Sequence, residues 1–125
     1  MNSLLVIGAA LTLLLGAAHS YLGERYILVR LFRRTDLPHL FGSDVFTKRT
    51  LRFAWHLTTV AWLGLAVFFI MIAAPAQVLP RGEVGAVLAA TAAVSAVVAL
   101  VGSRGRHLAW PVLAVIAAAA WFGSR

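Results

Sequence analysis

The sequence predicts an all-α integral membrane protein, a bundle of four transmembrane helices with a basic interfacial segment between the first and second. Three observations carry that expectation. Apolar residues make up 62% of the 125, against roughly half in soluble domains, and mean hydropathy is +0.90. They come in runs close to the ~20 residues that a helix needs to cross the hydrocarbon. Nine of the eleven Lys and Arg residues fall in two places only, the link after the first run together with the opening turn of the second, and the short link before the last.

The first span covers about residues 4–22. It lacks a basic leader, and "GAAHSYLGE" is a poor cleavage site, so it is read as a retained helix rather than a signal peptide. Gly8, Thr12, Gly16 and Ser20 recur every four residues, with His19 and Gly23 on the same general face. Small residues in such a row let helix backbones approach in lipid, so this face is expected to point into the bundle.

The segment "GERYILVRLFRRTDLPHLFGSDVFTKRT" is too polar to span. Tyr26, Leu28, Val29, Leu31 and Phe32 interleave with Arg25, Arg30, Arg33 and Arg34, a composition suited to a helix lying among lipid headgroups. Turn chemistry follows around Pro38 and Gly42.

The second span runs from about 51 to 74, where Pro75 closes it. Its Arg52, His56 and Thr59 fall at i, i+4 and i+7, within about 40° of one another on a helix. Trp55 and Trp62 repeat on a neighbouring face, with Trp55 placed as an interfacial anchor. The third span, about 84–101, carries Gly85, Ala89 and Ala93 beside Gly82, Ala86 and Ala90, so it can pack on two sides. The fourth, about 107–122, has Pro111 in its first turn, where a missing N–H costs little. Both are short and alanine-rich and are expected to need protein neighbours as well as lipid.

Four spans put the two termini on one side of the membrane and the nine clustered cations on the other. The positive-inside tendency makes the cationic side cytoplasmic, in a bacterial inner membrane, with both termini outside. The formal charge of +7 is therefore assigned to orientation and anionic lipid, not to nucleic acid.

The chain has no cysteine, which excludes disulfide exchange and thiolate chemistry. It also has no nucleophile elbow, phosphate loop or dinucleotide fingerprint, so a non-enzymatic role leads. His19 and His56 each lie about one helical turn inside the cationic boundary, and Glu24 and His107 sit at that boundary. These four form the candidate ligand set, supported by Arg52, Thr59, Arg25 and Trp55.

Three readings follow. In the first, Glu24 pairs with Arg52 or Arg25, the histidines are satisfied polar groups, and the protein is a packing or accessory component, associating with itself or with a larger complex. In the second, the set holds a divalent metal, or His19 and His56 ligate a b-type haem, although no HExxH or other closely spaced ligand motif is present. In the third, a cavity takes lipid, quinone or a small solute, with Arg52 and Arg25 holding its anionic or carbonyl group. The first reading leads. The bilayer midplane is empty of charge, which argues against a carrier built on a midplane carboxylate. The four-span outline is similar to small multidrug transporters and fluoride channels, but the embedded glutamate of the former and the threonine- and phenylalanine-rich filter of the latter have no counterpart here, so neither activity carries over.

Overall fold

The computed structural model describes residues 2–74 and 80–125. Pro75, the expected terminator of the second span, lies outside them. All regular structure among the described residues is helical. We number the helices α1 (Ser3–Leu31), α2 (Val45–Ala73), α3 (Arg81–Ser103) and α4 (Ala109–Gly123).

Asn2 caps α1, its Oδ1 accepting the Leu4 N–H at 3.0 Å, which satisfies one of the donors a helix start leaves open. The helix does not stop near Leu22. Residues Gly23–Leu28 form a π-helical turn, in which the Val29 N–H reaches back to the Glu24 carbonyl, and the same axis continues to Leu31. The residues read as the start of a separate interfacial helix therefore prolong the first span. No proline interrupts them, and a lone Gly costs a helix only about 1 kcal/mol. At 29 residues the helix is about 43 Å long, longer than a ~30 Å hydrocarbon core requires.

A tight turn at Phe41–Gly42, both at positive φ, closes with reciprocal backbone bonds between Leu40 and Ser43. The following helix, α2, begins at Val45 rather than near Leu51, its first turn braced by Lys48 on Asp44 at 2.5 Å. Pro80 caps α3, with the Glu83 and Val84 N–H groups donating to its carbonyl. Pro111 stands at the third position of α4, within the turn that makes no intrahelical N–H bond.

Successive helices run antiparallel. Gly8 faces Phe69, Gly16 faces Thr59 and Trp62, and Gly23 faces Trp55, so the small-residue row of α1 is occupied by α2 of the same chain. Between α2 and α3, Gly64 meets Thr91 and Gly102 meets Phe53; between α3 and α4, Gly85 meets Ser124. The buried residues Gly85, Ala89, Ala92, Ala96, Ala99 and Ser103 alternate four- and three-residue steps along α3, the 3.5-residue repeat of a close antiparallel seam. Ala93 falls off this seam and is exposed.

Among the described residues each helix packs only on its chain neighbours, so α1 to α4 form a row. Among the described residues the core is made mostly of alanine, with Leu28 and Phe53 its only large side chains, while Leu4, Leu14, Val101 and Phe122 are each about two-thirds exposed or more. In water that inversion would leave too little buried apolar area; in lipid, where close backbone approach holds helices together, it is the expected arrangement. Among the described residues three helices are long and apolar enough to cross a membrane, and α4 is a shorter apolar helix of 15 residues, about 22 Å.

Candidate functional site

Polar side chains gather where the last turns of α1's apolar stretch cross the first turns of α2. The antiparallel register brings Ser20 and Glu24, one helical turn apart, opposite Arg52, His56 and Thr59, the stripe visible in the sequence. Arg52 grips Glu24 with both ends of its guanidinium, Nη2 to Oε1 at 2.9 Å and Nε to Oε2 at 3.2 Å. His56 Nε2 stands 3.4 Å from Glu24 Oε2, while its Nδ1 is 2.8 Å from Ser20 Oγ. Ser20 Oγ is also 2.7 Å from Thr59 Oγ1, which in turn lies 3.3 Å from the Gly16 carbonyl.

This chain of contacts closes in either protonation state of His56. With the imidazole neutral, the Thr59 hydroxyl donates to Ser20, Ser20 donates to Nδ1, and the Nε2–H donates to Glu24. With it protonated, the Nδ1–H donates to Ser20, Ser20 to Thr59, and Thr59 to the Gly16 carbonyl, while Nε2–H still faces the carboxylate. A hydroxyl both donates and accepts, so the relay reverses without moving a heavy atom. Every ring nitrogen and both carboxylate oxygens have partners in both arrangements.

His19 belongs to a different group. Its ring stacks on the Trp55 indole at 4.5 Å and 9°, with Trp62 edge-on at 5.0 Å. Its Nε2 lies 2.9 Å from Thr58 Oγ1 and 3.3 Å from the Trp55 carbonyl. Trp55 Nε1–H donates to the His19 carbonyl at 3.1 Å. The indole can lie this close only because position 23 is glycine, since a Cβ there would overlap it. That fit sits at the mouth of the π turn, and side-chain insertion of this kind is a recognised origin of irregular helix turns.

His107 is in neither group. It stacks against Phe46 at 6.1 Å and edge-on to Phe53 at 5.2 Å, beside the α3–α4 turn, and its Nδ1 accepts the Ala109 N–H. Arg25 lies over the Tyr26 ring at 5.7 Å. Of the residues singled out from the sequence, the structure therefore joins Glu24, Arg52, His56 and Thr59 through Ser20, and it keeps His19, His107 and Arg25 apart from them.

No three His or carboxylate side chains converge in a way that could hold a metal among the described residues. The two histidines expected as haem ligands direct their nitrogens to separate partner sets, His56 to Ser20 and Glu24 and His19 to Thr58 and the Trp55 carbonyl. Thr58 and the Gly23–Trp55 fit were not legible as site features. A glycine at the polar end of an apolar run, opposite a tryptophan in antiparallel register, was the available signal.

The chain matches no known protein family, and no curated protein or solved structure is significantly similar to it.

Proposed function

We propose that the chain is a small, non-enzymatic multi-pass protein of a bacterial inner membrane, with its cationic end cytoplasmic and both termini outside. In this reading α4 is the fourth span, its short length made up by the flanking turns and by packing on α3. The Ser20–Glu24–Arg52–His56–Thr59 cluster is a clasp that fixes α1 against α2 at the cytoplasmic leaflet. The protein acts as a packing or accessory component, contributing its outer apolar faces to a larger membrane assembly or to a second copy.

The observation that supports the clasp is that His56 and Glu24 are fully partnered inside the chain whichever way His56 is protonated. A ligand would have to displace those bonds, each contributing about 0.5–1.5 kcal/mol net. The row of helices supports the accessory role, because it leaves large apolar side chains such as Leu4, Leu14, Val101 and Phe122 outward-facing and available to a partner.

The experiment is gentle solubilisation followed by detergent-corrected mass, absorption spectrum and metal analysis on one sample. The expected result is a colourless, metal-free species heavier than one protomer, carrying a copy or a distinct partner. A bare monomer would overturn the assembly role. A Soret band lost in His19→Ala or His56→Ala would overturn the clasp in favour of haem binding.

A further inference from the structure

Charge at the cationic end is unbalanced in a localised way. Arg52 occupies Glu24, Arg34 occupies Asp36 and Lys48 occupies Asp44, while Glu83 begins α3 at the opposite end. Six of the nine cations there thus have no carboxylate partner among the described residues. Three of the six, Arg49, Arg104 and Arg106, line one cavity of about 360 Å³ between the 40–46 loop, the start of α2 and the α3–α4 turn. Ser43 and Ser103 add hydroxyls to its wall, and no acidic residue lines it.

The backbone around this cavity is unusual. Phe41 and Arg104, both in its wall, are the two non-glycine residues at positive φ among the described residues, at 56° and 53°. Arg104 stands just after α3, where its N–H and that of Gly105 close the helix onto Val101 and Leu100, the position at which glycine is the usual residue. Side chains held in this backbone region are enriched at ligand sites. Arg49 also lines a second, mostly apolar groove of about 470 Å³ between α2 and α3, walled by Phe53, Val97, Val98 and Val101 and bordered by the clasp residues Arg52 and His56.

We infer that the two cavities form one site for an anionic phospholipid. The phosphate sits among Arg49, Arg104 and Arg106, whose planar forks match phosphate oxygens, and one acyl chain follows the groove between α2 and α3. Arg49 joins the polar and apolar parts, which selects a lipid over a free anion. Phe41, 85% exposed on the rim, sits as an aromatic anchor at headgroup level. Arg52 and Arg25, the residues expected from the sequence to hold an amphiphile, are engaged with Glu24 and with the Tyr26 ring instead. The inference rests on the membrane reading above.

The test is native mass spectrometry of the full chain released from mixed micelles containing equal phosphatidylglycerol and phosphatidylcholine, with liposome flotation on the same preparation. Wild type is expected to retain phosphatidylglycerol selectively, and Arg49→Gln with Arg106→Gln to weaken that retention about tenfold or more. Arg104→Gly is expected to weaken it too while keeping or raising thermal stability, because glycine suits the left-handed position. Arg30→Gln with Arg33→Gln should leave retention unchanged. Equal loss in that control, equal retention of phosphatidylcholine, or displacement of the lipid by millimolar inorganic phosphate would overturn the site. A chain that fails to float would overturn the membrane reading itself; one that floats without lipid selectivity overturns only the site.

Discussion

Replacing Gly23 by alanine strains the α1–α2 fit at its tightest point. The added Cβ would lie 2.6 Å from Trp55 Cζ2, with Nε1 and Cε2 nearer still, where ordinary contact begins near 3.4 Å. The indole has little room to yield, being stacked on His19 and bonded through Nε1 to the His19 carbonyl. Displacing it costs about 1 kcal/mol for the hydrogen bond, about 1 for the stacked pair and about 1–3 for overpacking. Alanine returns about 1 kcal/mol through helix propensity. The expected net loss is about 2–4 kcal/mol, read as reversible unfolding in mixed micelles with rising dodecyl sulfate, followed by far-ultraviolet circular dichroism. Trp55→Phe removes the N–H and the outer ring, so in that background Gly23→Ala should be close to neutral, a coupling of about 1.5 kcal/mol or more. Wild-type stability in Gly23→Ala, or effects additive to within about 0.5 kcal/mol, would refute the reasoning.

Other substitutions probe neighbouring features. Ser20→Ala leaves His56 Nδ1 and Thr59 Oγ1 without their shared partner and should cost about 1–2 kcal/mol in the same unfolding assay. Gly102→Ala places a Cβ 2.5 Å from Phe53 Cβ, an atom too close to the backbone to swing aside; α2 and α3 must part by about 1 Å, with a loss of about 1–3 kcal/mol. In the loop beyond α1, Arg34 bonds the Asp36 carboxylate at 2.5 and 2.8 Å and holds its pKa down to about 2. Because the folded value is depressed, this pairing is complete above the ordinary carboxylate range and is lost only as pH falls through about 2. Carboxyl-carbon NMR should show that midpoint, and Arg34→Gln should return it to about 4.

How far the sequence could be read differs between fold and site. Apolar runs located the helices, since hydropathy sums locally and needs no knowledge of neighbours. Boundaries were less legible. Only the three-dimensional path shows that α1 runs through Gly23 to Leu31, because interleaved arginine and apolar residues suit a helix along the bilayer normal as well as one lying flat. The Arg52–His56–Thr59 stripe was readable from helical spacing alone. Its partners were not, because residues such as Ser20 and His19 are adjacent in sequence yet about 100° apart around the helix, and the rotation of α1 about its axis decides which one meets His56.

By itself, then, the sequence determined that this is a chain of apolar helices with small residues on packing faces and its cations concentrated at one end. Those properties are additive along the chain. Tertiary structure decided the rest: that the helices line up in a row, that His19 and His56 serve different partners, and that Arg49 shares one cavity with Arg104 and Arg106, more than fifty residues further along the chain. Such outcomes depend on helix register and rotation, which are set by how side chains such as Trp55 and Phe53 fit against glycine on a facing helix, and no local pattern encodes the facing partner.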